Sequence, residues 1–151
     1  MHSDSGRSSF SDLPPLRDVI ARHNLRAEKA LGQNFLLDQN ITDKIVRQTD
    51  GLEGKTVIEI GPGPGGLTRS LLRAAPAKVI VIEFDPRAVE ALQELKGLAG
   101  DRLEIIHADA LETDLTALCS GPRVIAANLP YNIATPLLTG WLQQIHNDHK
   151  A

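Results

Sequence analysis

Short apolar runs alternate with amphipathic stretches along most of the chain. The apolar runs are rich in β-branched residues and predict four buried strands, at 56–60, 78–82, 103–106 and 123–127. Apolar residues at helical spacing predict helices at 67–75, 87–96 and 136–142. Because strands and helices alternate, we expect an α/β fold with a parallel sheet and helices on both faces.

The residues before the first predicted strand have a weaker pattern. After two prolines, apolar residues at helical spacing predict a short helix over 16–24. The segment 29–37 contains a glycine but no sustained period, which indicates a shaped loop. Asp38 can cap a second helix, whose predicted apolar stripe consists of Ile41, Ile45 and Val46. The Ser- and Asp-rich residues 1–12 predict a disordered tail, so the domain would occupy residues 13–151.

Composition narrows the class of protein. With 42% apolar residues, a chain of 151 residues can bury the core of a single domain. The formal net charge of -3 argues mildly against a nucleic-acid partner. The lone Cys119 predicts neither a disulfide framework nor a metal site, and no stretch has the length to span a bilayer. We therefore expect a soluble, cytoplasmic protein without a metal and without a membrane segment.

A glycine-rich turn follows the first predicted strand directly. Gly61, Gly63 and Gly66 satisfy the spacing GxGxxG between a strand and a helix. Glycine permits positive φ there and lets a ligand approach the bare backbone. The pattern by itself fits dinucleotide enzymes, methyl-donor enzymes and a tight turn without any ligand.

Acidic residues stand at the ends of the next two strands. Glu83 lies about twenty residues beyond the glycine turn, where a carboxylate can accept hydrogen bonds from both hydroxyls of a ribose. The alternative is that Glu83 merely helps to cap the helix that follows, a role already filled by Asp85. Asp109 can accept a hydrogen bond from an adenine amine, or it can be a solvated loop residue. Together with the glycine turn, these residues indicate an adenosine-type ligand.

The fourth predicted strand leads into Asn-Leu-Pro-Tyr at 128–131. The side-chain oxygen of Asn128 and the carbonyl of Pro130 can each accept one N–H of an aromatic amine, which would direct the nitrogen lone pair toward an electrophile. Tyr131 can stack on a base, an interaction worth about 1–3 kcal/mol. An ordinary turn followed by a core tyrosine is the alternative.

Taken together, the motifs resemble those of a known family. They are KALGQNFLLD at 29–38, EIGPGPGGLT at 59–68, EFDP at 83–86, HADAL at 107–111 and NLPYNIATP at 128–136. Their order is similar to that of the ribosomal RNA small-subunit adenine dimethyltransferases, and also to the macrolide-resistance RNA methyltransferases and mitochondrial transcription-factor relatives. The resemblance covers residues 13–142 and implies the Rossmann-like fold of class I S-adenosylmethionine-dependent methyltransferases.

The resemblance also implies an activity and a set of site residues. Members transfer methyl groups from S-adenosylmethionine to the N6 amines of two adjacent adenines in a hairpin near the 3′ end of small-subunit ribosomal RNA. The implied partner is this RNA within a pre-small-subunit particle, and the implied state is a monomer. Cofactor contacts are implied at Gln33, Asn34, Leu36, Gly61, Gly63, Glu83, Asp109 and Asn128. Catalytic roles are implied for Asn128, Pro130 and Tyr131.

The family pattern extends further than this sequence. Members of the family have further strands in the sheet and an additional small helical domain. We therefore expect an incomplete Rossmann-like domain here. Whether this chain alone catalyses methyl transfer stays open. Two other functions also stay open. An NAD-dependent oxidoreductase would explain GxGxxG and Glu83 but would leave NLPY and QNFL without a role. A non-catalytic RNA-binding module could use the same fold.

Overall fold

A computed structural model describes residues 13–25, 39–49, 51–118 and 122–127. The described elements are the helices α1 (Leu16–Arg22), α2 (Gln39–Arg47), α3 (Gly66–Arg73) and α4 (Pro86–Ala99), and the strands β1 (Thr56–Ile60), β2 (Lys78–Glu83), β3 (Leu103–His107) and β4 (Arg123–Ala127). Short 3₁₀ turns, which the sequence did not predict, cover Gly100–Arg102, Ala110–Glu112 and Leu115–Ala117. The predicted tail at 1–12, the loop at 29–37, the Asp38 cap and the helix at 136–142 lie outside the described residues.

The strands form one parallel sheet in the order β3-β2-β1-β4. The predicted parallel α/β sheet is therefore confirmed. From β1 the chain proceeds outward through β2 to β3 and then returns to the other side of β1 with β4. The carboxyl ends of β1 and β4 consequently flank the topological switch point, where open α/β sheets bind ligands.

Side chains from alternate strand positions form two apolar clusters, one on each face of the sheet. The first includes Val57, Val79, Val81 and Leu103, packed against leucines of α3 and α4. The second includes Ile58, Ile60, Ile80 and Ile82, packed against Leu115 of a 3₁₀ turn. Because the central strands are buried on both faces, they appear in the sequence as unbroken apolar runs.

Helix α4 starts where the sequence predicts and ends later. Asp85 is the N-cap: its Oδ1 accepts the N–H of Arg87 at 2.9 Å, and Pro86 occupies the first helical position. The Arg87 guanidinium also holds the pKa of Asp85 below its ordinary value. The sequence predicts an end near Lys96, but the helix runs through Gly97 to Ala99, and its C-cap is Gly100, whose φ is +61°. Burial of Leu95 and Ala99 offsets the low helix propensity of Gly97.

Helix α2 lies against α3 through apolar and polar contacts, which corrects one member of the predicted apolar stripe: Val46 belongs to the apolar core, whereas Ile45 does not. Ile45 is 45% exposed, whereas Thr42 and Val46 are buried. The hydroxyls of Thr42 and Ser70 are 2.6 Å apart and hydrogen-bonded, and Arg73 Nη2 donates to Asp43 Oδ1 at 2.7 Å. The prediction assumed that apolar side chains would fill this interface. Two hydroxyls can also be buried at such an interface, because each provides the hydrogen-bond partner that the other needs.

Candidate adenosine-binding edge of the sheet

The glycine turn leaves β1 in a backbone conformation that few other residues adopt. Gly63 and Gly65 have φ of +56° and +96°. A Cβ on Gly63 would have no heavy atom within 4 Å, so the backbone there borders open space. A Cβ on Gly65 would lie 3.0 Å from Leu92 Cδ2, so the turn packs closely on α4. The sequence analysis did not single out Gly65, because its role depends on a helix that follows later in the chain.

Glu83 ties this turn to the end of β2. Its Oε1 accepts the N–H of Gly63 at 3.0 Å, and its Oε2 accepts the N–H of Asp85 at 2.9 Å. Asp85 itself is the N-cap of α4, and Glu83 supports that cap by accepting the N–H of Asp85. The structural role considered as an alternative for Glu83 is therefore present. A carboxylate offers about four acceptor sites, so each oxygen of Glu83 can accept one further hydrogen bond.

Asp109 lies at the same edge of the sheet, beyond the end of β3. His107 is the register partner of Glu83, and the N–H of Ala108 donates to the Glu83 carbonyl at 3.1 Å. Asp109 Oδ1 accepts the N–H of Leu111 at 2.9 Å and so caps a 3₁₀ turn. The alternative predicted for Asp109 was a solvated loop residue, whereas Asp109 is half-buried and has this capping role. The cap engages Oδ1, and Oδ2 of the same carboxyl group can accept a hydrogen bond from a ligand.

Phe84 is a feature of this edge that the sequence analysis missed. Its ring is 69% exposed directly after Glu83, and its carbonyl lies 3.0 Å from His107 Nε2. An exposed aromatic ring beside two carboxyl groups offers an apolar surface for a flat heterocycle. In the sequence, Phe84 stands between the acidic residue that ends β2 and the N-cap Asp85. It was overlooked because a single aromatic residue at that position belongs to no periodic pattern of apolar residues.

Glu59 is buried beneath the glycine turn. It is 1% exposed, and its Oε1 accepts a hydrogen bond from the hydroxyl of Thr68, which is fully buried on α3. Burial raises the pKa of Glu59 to about 8; the Thr68 hydrogen bond acts against this rise and the negative charge of Glu83 adds to it. An acidic residue inside an otherwise apolar strand was the sequence signal, but no role was assigned to it.

The residues that flank 26–38 are hydrogen-bonded to this edge from two sides. Arg87 Nη1 donates to the Asn24 carbonyl at 3.0 Å. Gln39 Nε2 donates to the carbonyl of Gly66, the last glycine of the turn, at 3.1 Å. The chain therefore approaches and leaves 26–38 next to the elements that carry Glu83 and the glycines.

The structure thus brings together a part of the predicted site. Gly61, Gly63, Glu83 and Asp109 lie at one edge of the sheet. Gln33, Asn34, Leu36, Asn128, Pro130 and Tyr131 lie outside the described residues. Strand β4 is described to Ala127, the register partner of Ile60, so the chain leaves β4 beside the start of the glycine turn.

Two general features of the described ranges bear on the kind of site. No helix among them combines the length and apolar character needed to cross a bilayer. Nor do they contain a group of three or more His, Cys, Asp or Glu side chains arranged to hold a metal ion.

Comparisons with known proteins agree with this arrangement. The ribosomal RNA small subunit methyltransferase A of Rhodopseudomonas palustris (strain TIE-1) is 60% identical over 136 residues, which cover 89% of this chain and 47% of that protein. The crystal structure of a dimethyladenosine transferase from Plasmodium falciparum is 32% identical, with a TM-score of 0.58 over 70% of this chain and 37% of that one. The 23S rRNA methyltransferase ErmE is 27% identical, with a TM-score of 0.60 over 71% of this chain and 42% of that one.

These likenesses and the strand order show the Rossmann-like fold of class I methyltransferases. The chain spans about half the length of the curated relatives it matches. A model of the family described as ribosomal RNA adenine dimethylase matches residues 24–151. The chain therefore belongs to the ribosomal RNA adenine dimethylase family.

Proposed function

We propose that this chain forms the cofactor-binding part of an S-adenosylmethionine-dependent enzyme that dimethylates adenine N6 amines in small-subunit ribosomal RNA. The substrate would be two adjacent adenines in a hairpin near the 3′ end of that RNA, within a pre-small-subunit particle. The observation that carries the proposal is the hydrogen bond between Gly63 and Glu83, which holds an acidic acceptor beside open backbone at the switch point. The similarity to a ribosomal RNA small subunit methyltransferase A and to a dimethyladenosine transferase supports the reaction class.

The residues at the sheet edge fit an adenosine-containing cofactor. The open space at Gly63 admits a ligand against the backbone, and Glu83 retains acceptor capacity for ribose hydroxyls. Asp109 can accept from the adenine amine, and the exposed ring of Phe84 can cover the base. Gln33, Asn34 and Leu36 are proposed as further cofactor contacts.

The chemistry requires little acid–base catalysis from the chain. S-adenosylmethionine, when bound, supplies a methyl group on a sulfonium that leaves as a neutral thioether, so no side chain has to protonate a leaving group. Asn128 and Pro130 would accept the two N–H groups of the adenine amine, and Tyr131 would stack on the base. The amine lone pair is delocalised into the ring, and these hydrogen bonds would favour a more tetrahedral, more nucleophilic nitrogen. Most of the remaining contribution would come from alignment.

The oxidoreductase alternative is not favoured. GxGxxG and Glu83 fit both classes of enzyme, but the family match and the similar solved structures are those of methyltransferases. We also propose that the protein acts as a monomer in the cytoplasm, which is consistent with a partner that is itself part of the ribosome.

Calorimetric titration of the chain with S-adenosylmethionine tests the cofactor, with NAD as the parallel ligand. We expect saturable heat with the methyl donor alone, and heat with NAD alone would contradict the proposal. Transfer of labelled methyl groups to small-subunit RNA then tests the reaction. Asn128→Ala should lower the rate of transfer more than it lowers donor affinity, whereas equal rates for variant and parent would contradict the assigned role. Donor binding without any methyl transfer would favour the non-catalytic module.

A further inference from the structure

Glu59 and Thr68 connect the two sides of the glycine turn from below. Glu59 is in β1, directly before the turn, and Thr68 is in the first part of α3, directly after it. The Thr68 hydroxyl donates to the Glu59 carboxyl, and both side chains are almost completely buried. The contact therefore joins the strand to the helix that together hold the turn.

Little in the surroundings of Glu59 favours a negative charge. Its register partners are Val81 on β2 and Ala126 on β4, which are apolar. The charged group among the described residues that acts on it is Glu83, at the end of β2, and it has the same sign as an ionised Glu59. On α3 the contact is the neutral Thr68 hydroxyl, and the neighbouring Arg69 donates from Nη1 to the carbonyl of Pro14.

An ionised carboxylate in such a position has an unfavourable free energy. Transfer of a charge out of water is strongly unfavourable unless the charge is paired, and a buried group instead takes up or loses a proton. None of the ion pairs formed within the described part of the chain involves Glu59. The neutral acid is thus the expected form of Glu59 when no ligand is bound.

We propose that Glu59 is a positioning residue that holds a proton in the ligand-free site and releases it to solvent when a cationic cofactor occupies the glycine turn. The ionised carboxylate would then attract the positive sulfonium of the methyl donor but not the neutral thioether of the product. The proposal rests on the proposed function and adds to it a means of distinguishing donor from product by charge.

The direction of the pH dependence follows from burial. Since burial raises the pKa of Glu59 to about 8, the carboxyl is protonated at neutral pH, and a nearby positive charge lowers that pKa. Donor binding therefore releases a proton below about pH 8, and donor affinity should rise with pH up to that point and then level off. S-adenosylhomocysteine has the same adenosine, amino and carboxyl groups but lacks the methyl group and its charge. The sulfonium charge lowers the pKa of the amino group in the donor relative to the product, so the two ligands titrate differently in solution. This ligand term is the same for the parent chain and for a variant, and it cancels when the two chains are compared.

The test is calorimetric titration of the chain with both ligands from about pH 6 to about pH 8.5, in buffers of different ionisation enthalpy. For the parent chain, we expect the affinity ratio of donor to product to rise by up to about tenfold per pH unit below pH 8, with up to one proton released per donor bound. In Glu59→Gln, which keeps an acceptor for Thr68, the ratio should depend less steeply on pH than in the parent, because only the titration of the ligands themselves remains. In Thr68→Val, loss of the hydroxyl that stabilises the carboxylate should move the dependence to higher pH.

A Glu59→Gln chain with the same pH dependence and proton release as the parent would overturn the proposal. A carboxyl NMR titration of the ligand-free chain gives a second measurement that needs no cofactor. A Glu59 midpoint near the ordinary value of about 4.3 would overturn the proposal even if the variants fail to bind ligand. Absence of binding by either ligand to the folded parent would instead contradict the proposed function at the level of the cofactor, while the NMR midpoint would still decide the protonation state of Glu59.

Discussion

The backbone N–H of Gly63 donates to the carboxylate of Glu83 at 3.0 Å, across 20 residues of sequence. This contact joins the turn that follows β1 to the acidic residue that ends β2. The other carboxylate oxygen accepts the N–H of Asp85, so the side chain is held from both sides. Glu83 is therefore oriented before any ligand arrives, which reduces the entropy lost on binding.

Glu83→Gln should weaken cofactor binding more than it weakens the fold. An amide nitrogen in place of one carboxylate oxygen would face the N–H of either Gly63 or Asp85, and a charge-assisted acceptor for the ribose would be lost. We expect a loss in affinity for S-adenosylmethionine of about 1.5–3 kcal/mol, roughly tenfold to hundredfold. Calorimetric titration measures it. Glu104→Gln, in an exposed pair with Lys78 near the other end of β3, is the control and should bind like the parent.

Gly65→Ala should destabilise the fold by about 1–3 kcal/mol. The φ of +96° is unfavourable for alanine, and its Cβ would lie 3.0 Å from Leu92 Cδ2. Gly97→Ala is a matched control within α4, because its Cβ would meet nothing within 4 Å. That substitution should stabilise the chain by about 0.5–1 kcal/mol through helix propensity. Urea unfolding measures both, and a Gly65→Ala chain as stable as Gly97→Ala would refute the close packing described for the turn.

The stability of the chain should fall with rising pH through the titration of Glu59. Its pKa in the folded chain, about 8, lies above that of an unfolded glutamate, so the folded state binds the extra proton. The stabilisation is fully present below about pH 4.3 and is lost progressively as pH rises through 8. The slope is at most about 1.4 kcal/mol per pH unit. Urea unfolding at several pH values should show a flatter dependence for Glu59→Gln, and parallel curves would exclude a raised pKa.

Thr42→Val should destabilise the α2–α3 interface although it removes no volume. The fully buried Thr42 hydroxyl is hydrogen-bonded to the Ser70 hydroxyl at 2.6 Å and donates to the Gln39 carbonyl at 3.2 Å. Its loss leaves the Ser70 hydroxyl with poorer partners, at a cost of about 1–3 kcal/mol in the free energy of unfolding. Ile45→Thr on the exposed side of the same helix should change stability by less than about 0.5 kcal/mol. Similar losses for the two variants would indicate that α2 packs through a different face.

The strands were predictable because parallel strands buried on both faces require apolar, β-branched runs. The bounds of β1 and β4 agree with the prediction, and β2 and β3 each extend one residue further. Helix ends were less predictable. Gly97 resembles a stop signal, yet packing of the neighbouring Leu95 and Ala99 extends α4 to Ala99, with Gly100 as its C-cap.

The candidate site was predictable where a role depends on local spacing. Gly63 and Glu83 follow from the turn and from the distance between strand ends, and the structure places them in contact. Gly65, Phe84 and Glu59 were not assigned roles because each depends on tertiary neighbours. Leu92 limits the space at Gly65, and Thr68 meets Glu59 only after α3 folds back on β1. Contacts of this kind, between residues of different elements, cannot be predicted from the spacing of residues in the sequence.

The strand order also fixes the sequence in which the two halves of the site can assemble. Strands β1 to β3 and the helices between them are consecutive in the chain, and their pairings close comparatively short loops. Strand β4 can pair with β1 only after the whole of that unit has been synthesised, because Thr56 at the start of β1 pairs with Arg123, which comes after β3 in the chain. Contacts that are distant in sequence form more slowly than local ones. During synthesis, the edge that carries Glu83 and Asp109 can thus fold first, and the strand leading to Asn128 is added afterwards to the edge proposed to bind the methyl donor.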